Sequence, residues 1–175
     1  MMTPKKLERL REIAEGEAPF TKAALDGLGN RSEIRKQLQV ELEKHIRAKE
    51  GMDGLLTRIQ RVTQYNAARA SAIAQTEKTR AVNGSRIGRI IGDYLDAYKQ
   101  AKKAHKKRPE KPRVQWMHTN AAKEPRQSHI ALNGEIREVG AEFLPGLKYP
   151  GDPDAPPSET IHCHCYVRQV RRRGT

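Results

Sequence analysis

Leu7, Leu10, Ile13 and Ala14 recur at helical spacing within residues 4–15, which predicts a short amphipathic helix. Residues 16–30 contain Pro19, Gly27 and Gly29 and read as a connection. Asn30 and Glu33 have the spacing of a capping box. Ile34, Leu38, Leu42 and Ile46 then fall on one stripe, so a helix is expected to about Lys49, with Gly51 ending it. Asp53 is placed to cap a further helix that carries Leu55, Leu56, Ile59 and Val62. From Asn66 to His105 there is no proline. Ala67, Ala70, Ile73, Ala74, Ala81, Ile87, Ile90, Ile91, Tyr94, Leu95 and Tyr98 mostly keep a helical period over that stretch. The triplet Asn83-Gly84-Ser85 is either a break between two helices or a weak point in one, since an interior glycine costs roughly 1 kcal/mol.

The pattern changes at Lys102. AKKAHKKRPEKPR reads as a helix end running into a basic linker. Beyond it the alternation is strand-like, with Val114, Trp116 and His118 on one face and Gln115 and Met117 on the other. Asn133-Gly134 signals a tight turn, and residues 145–157 form a Pro/Gly/Asp-rich loop. Ile161 to Val167 alternates again and predicts a strand. The fold class expected is α+β, a mainly helical N-terminal part followed by a small, loop-rich, β-containing C-terminal unit. The divisions are 1–65 (N-terminal helical region), 66–112 (long helix or helix pair with basic linker), 113–170 (the small unit) and 171–175 (basic tail).

Charge narrows the partners. Thirty-four Lys and Arg against 21 Asp and Glu leave a net charge of +13 in 175 residues. Such a field attracts polyanions, of which nucleic acid is the commonest in a cytosol. Lys102, Lys103, Lys106, Lys107 and Arg108, with Arg171, Arg172 and Arg173, are the candidate contacts to DNA phosphates. One Trp, two Phe and five Tyr supply no stacking platform for single strands, so contact would be electrostatic and non-specific. No apolar run approaches the length of a membrane span, and no secretory signal is expected in MMTPKKLERL.

The candidate chemistry lies in the last third of the chain. A unit of roughly 55 residues is where a core alone becomes marginal and staples are usual. The two cysteines, Cys163 and Cys165, are one residue apart. A disulfide between them would close a small strained ring, and a reducing compartment is the default. On a strand both thiols share one face, and His162 and His164 take the other. Thiolate and imidazole are zinc's preferred donors, so Cys163 and Cys165 with His129 and His118 form a candidate structural zinc site. The other reading is two small buried residues beside Ile161 and Val167. Cys163 with His129 also has the makings of a thiol nucleophile and its base. Gly84, Gly88 and Gly92 are spaced as a packed helix face, not as a phosphate loop, and no Ser-His-Asp elbow occurs.

Three stretches in order carry a resemblance. The first is Arg69 to Glu77 with Arg80, Asn83 and Arg86. The second is Trp116 to Thr119, then Pro125-Arg126-Gln127-Ser128-His129 and Leu132-Asn133-Gly134. The third is Phe143, Tyr149 to Pro153, Glu159 and His162-Cys163-His164-Cys165. From about residue 70 to 167 the chain resembles the Mu F-like minor head proteins, the phage head morphogenesis family of tailed bacteriophages. His162 and His164 stand where that family usually has Asn and Arg. The resemblance implies a non-enzymatic virion protein at the portal vertex, needed for head assembly in the host cytoplasm and meeting packaged DNA. Its partners would be the portal protein and the scaffold or major capsid protein, with no membrane involved. We expect Glu77, one turn from Arg80, to pair with Arg126 and so dock the small unit on the long helix. The readings from other classes are a zinc-dependent or thiol-based hydrolase or nuclease, and a free-standing non-specific DNA-binding protein.

Overall fold

The computed structural model describes residues 3–15, 32–63 and 67–170. The expected links at 16–30, the Asn30 cap and Arg171, Arg172 and Arg173 lie outside the described residues.

Helix α1 spans Pro4–Glu15. Thr3 caps it, its hydroxyl accepting from the Lys6 amide at 3.3 Å and its carbonyl from the Leu7 amide at 2.9 Å, and Pro4 fills the first helical position. Leu7, Leu10 and Ala14 form its buried stripe.

Helices α2 (Ser32–Ala48) and α3 (Met52–Thr63) make a hairpin. Lys49, not Gly51, is the left-handed residue of the connection (φ 53°). Asp53 lies within the first turn of α3, where its charge opposes the helix dipole. Arg58 fastens the hairpin. Its guanidinium reaches Glu50 through Nε at 2.8 Å and a terminal nitrogen at 2.6 Å, and Glu41 at 2.7 Å. The bidentate hydrogen bond from Arg58 holds the Glu50 carboxyl down at about 2.

Helix α4 runs unbroken from Ala67 to Lys103, 37 residues, or about 55 Å at the α-helical rise. Asn83-Gly84-Ser85 is no break. Gly84 is where α1 crosses, and a Cβ there would lie 2.3 Å from the Ala14 carbonyl oxygen. The glycine is retained for close approach. Two cores share this helix. Ala70, Ile73 and Ala74 pack with Leu38, Leu42, Leu55 and Ile59 of the hairpin. Ile87, Ile90, Ile91, Tyr94 and Leu95 pack with α1 and with the C-terminal unit. Ala81, expected on the apolar face, is exposed.

The C-terminal unit is built on a three-stranded antiparallel sheet in the order β2-β1-β3. Strand β1 (Arg113–Met117) is central, β2 is Ile136–Glu138 and β3 is Tyr166–Val170. Arg113 lies opposite Glu138 on one side and Val170 on the other, and Met117 opposite Tyr166. Val114 and Trp116 point inward with Val167, Phe143, Leu147 and Tyr149. Two short helices complete the unit, α5 (Gln127–Ala131) and α6 (Pro157–Thr160). The architecture is α+β.

The strand expected over 161–167 begins only at Tyr166. Residues 161–165 are a turn and an irregular segment, with His162 at φ 54°. The cysteines still turn inward and His162 is exposed, but His164 is half-buried with its Nε2 shielded from solvent, a departure from the outward face expected of it. No helix among the described residues is long and apolar enough to cross a membrane.

Candidate metal centre

The segment 162–167 is held by a polar stripe on α4. Thr76, Thr79 and Asn83 follow one another at helical spacing, and all three are buried. The Thr76 hydroxyl accepts from the His162 amide at 2.8 Å. Thr79 donates its hydroxyl to the Cys163 carbonyl, which also accepts from the Gln75 amide group at 3.1 Å. Asn83 donates to the Cys165 carbonyl at 3.2 Å and accepts from the Val167 amide at 3.0 Å. The helix thus supplies the backbone partners that a neighbouring strand would otherwise provide.

This backbone grip fixes where the sulfurs point. Cys163 and Cys165 are 2% and 5% exposed, and His129, on α5, is 2%. The His129 Nδ1 lies 3.6 Å from the Cys163 sulfur and 3.7 Å from that of Cys165. His118, one residue past β1, brings its Nδ1 to 3.6 Å from the Cys165 sulfur. Three of the four expected ligands, Cys163, Cys165 and His129, therefore share one cluster, and His118 reaches only the Cys165 sulfur. Ligand atoms of His129, Cys163 and Cys165 lie within 4.8 Å of one another. In a tetrahedral zinc site the sulfur–nitrogen edge is about 3.5–3.6 Å, given bonds of about 2.3 and 2.0–2.1 Å. The observed separations match that edge, and the trio is compatible with a metal ion.

The surroundings favour one thiolate in particular. A hydrogen bond from the Cys163 thiol, aided by the Trp116 indole and the Thr119 backbone, holds Cys165 below the usual thiol range despite its burial. Cys163 is pushed the other way, by sharing that proton with Cys165 and by burial. Both cysteines are free thiols.

Around the trio, Trp116 stands edge-on to the His129 ring at 5.1 Å between centroids. The other ring nitrogen of His129, Nε2, lies 2.9 Å from a Glu159 oxygen on α6. Arg126, at the start of α5, donates to the carbonyl oxygens of Ser158 and Ile161. A cleft of about 790 Å³ opens beside the cluster, lined in part by His118, Arg126, His162 and His164.

The expected Glu77–Arg126 pair is not the contact that forms. Arg126 is taken by the α6 carbonyls, which it faces from the start of α5. Glu77, 2% exposed, meets Arg80 one turn along α4 at 2.8 Å. The docking falls to the polar stripe and to the loop at Gly151 (φ 78°), where a Cβ would lie 2.7 Å from the Arg80 amide nitrogen. Lys102, Lys103, Lys106, Lys107 and Arg108 are exposed at the end of α4 and along the linker, with Arg108 over the Tyr98 ring at 5.6 Å.

Sequence reasoning missed the roles of Thr76, Thr79, Asn83 and Glu159. The i, i+3, i+7 spacing of the first three was the available signal, and it is also the spacing of a solvated helix face.

No protein-family model, curated protein or solved structure matches the chain.

Proposed function

We propose that this chain is a Mu F-like phage minor head protein, a portal-vertex component of head assembly that works by binding and not by catalysis. One observation carries the reading. The three stretches that bear the resemblance fold against one another, with the second and third meeting at sulfur–imidazole separations of 3.6–3.7 Å. The ion this donor set would take is zinc, held by Cys163, Cys165, His129 and His118. Zinc there would close a loop that joins both ends of a unit too small to rely on its core. The exposed cations from Lys102 to Arg108 supply non-specific attraction to packaged DNA. The capsid partners are the portal protein and the scaffold or major capsid protein. The site of action is the phage head, reached from the host cytoplasm during assembly.

The test is co-expression with the portal protein encoded by the same genome, followed by sedimentation of assembly intermediates. The chain is expected to co-sediment with portal-containing particles. Failure to associate in any intermediate overturns the reading.

A thiol-based or zinc-dependent hydrolase is the second reading. It is favoured by the chain of contacts from Cys163 through His129 to Glu159, which has the order of nucleophile, base and orienter. Against it stand the burial of Cys163 and the upward push on its thiol, which leave little thiolate to attack a substrate. Cys163→Ser separates the two. A structural site loses the fold of the unit together with the metal, whereas a nucleophile's loss leaves the fold and removes hydrolysis.

A further inference from the structure

We infer that Glu159 is a positioning residue for the metal centre, holding His129 so that Nδ1 is the atom presented to the ion. The inference rests on the zinc reading above. A neutral imidazole carries one N–H, and which nitrogen bears it decides which lone pair is free. The His129 Nε2 is 2.9 Å from Glu159 Oε2. An ionised carboxylate only accepts, so the proton belongs on Nε2. The lone pair is then left on Nδ1, the nitrogen that lies 3.6 and 3.7 Å from the two sulfurs. A ligating histidine backed by a carboxylate in this way gains basicity and a fixed ring orientation.

The rest of the geometry serves the same contact. Glu159 sits on a four-residue helix, too short to hold itself in place. Arg126 compensates by donating to the carbonyls of Ser158, within that turn, and Ile161, just past it. Because Arg126 also begins α5, three residues before His129, one guanidinium ties the carboxylate's helix to the imidazole's helix. The Trp116 edge against the His129 ring opposes a ring flip. Charges also balance. One divalent cation, two thiolates, the Glu159 carboxylate and the Arg126 guanidinium sum to zero, which suits a site in which His129, Cys163 and Cys165 are buried. A surface ion pair with the same distance would need none of these restraints.

The experiment uses the full chain and two probes, Zn2+ in competition with a chromophoric chelator and Co2+ read by its visible spectrum. Glu159→Ala is expected to weaken zinc binding about 10- to 100-fold, the usual effect of losing such a partner. Glu159→Gln, whose amide oxygen still accepts, is expected to fall between that variant and the parent, and to shift the cobalt bands. Asp154→Asn, a change at a half-exposed carboxylate five residues away, serves as the control and leaves both readouts unmoved. If Glu159→Ala does not fold, Glu159→Gln carries the comparison, since it keeps the side chain's shape. Parent-like affinity and an unshifted cobalt spectrum in the Glu159 variants overturn the inference and leave the zinc reading standing. A parent protein that takes up neither ion overturns both.

Discussion

Asn83 is 1% exposed in the middle of a long helix, and every polar atom of its side chain is used. It donates to the Thr79 and Cys165 carbonyls at 2.9 and 3.2 Å and accepts from the Val167 amide at 3.0 Å. Replacing it with alanine orphans a buried amide and a buried carbonyl on the far segment. Each such group costs about 1–3 kcal/mol, so Asn83→Ala is expected to lose roughly 2–6 kcal/mol of stability, measured by urea unfolding. Asn83→Asp is expected to cost at least as much, because it keeps the acceptor for Val167 but turns a buried carboxylate oxygen toward the Thr79 and Cys165 carbonyls. Residues of this kind were only partly legible. The cysteines and histidines announced themselves because thiol and imidazole chemistry belongs to the residue type. Thr76, Thr79 and Asn83 did not, because their partners are backbone groups 82 to 86 residues further on, and a backbone group has no identity in a sequence. Glu159 was quoted only as part of a motif, and one carboxylate among 21 acidic residues gives no sign of which histidine it will meet.

Helix α4 posed the clearest question at the next scale up, since glycine at position 84 would weaken a lone helix. Packing answers it. A Cβ at Gly84 would meet the Ala14 carbonyl oxygen of α1 at 2.3 Å, a backbone atom that no rotamer change can move. Gly84→Ala therefore opposes two effects. Helix propensity gains about 1 kcal/mol, and overpacking costs about 1–3 kcal/mol. Against a backbone oxygen the second prevails, and the variant is expected to be less stable by about 1–2 kcal/mol net, with α1 amides losing their protection in hydrogen exchange. The strand over 161–167 failed for a related reason. Its apolar and polar residues do alternate, but the alternation comes from a segment that buries two sulfurs toward one side while α4 takes its carbonyls. Strand β1 succeeded because Val114 and Trp116 alternate against a core formed within the same unit. Periodicity reports which side is buried. It does not report whether a helix or a strand does the burying.

At the scale of the whole molecule, two cores share one helix, and only the C-terminal one is joined by the sulfur–imidazole cluster. Metal removal should therefore act on one part of the chain. With the zinc-loaded protein, a strong chelator is expected to raise hydrogen exchange across residues 113–170 while leaving the α2–α3 hairpin protected, because Leu38, Leu42, Leu55 and Ile59 pack on α4 independently of the ligands. Uniform loss of protection would mean that the two cores unfold as one. The α+β class was readable from the sequence, as were the meeting of Cys163, Cys165 and His129 and the exposed basic stretch from Lys102 to Arg108. The docking was not, since it depends on a buried polar stripe in place of the Glu77–Arg126 pair.

The unbroken run of α4 has a mechanical consequence. A rod about 55 Å long with no joint between its two packed ends cannot absorb displacement by bending at a hinge. The hairpin packs on residues 70–74 of that rod and the sulfur-bearing segment is held from residues 76–83, so a displacement of one is passed to the other over no more than a few turns of continuous helix.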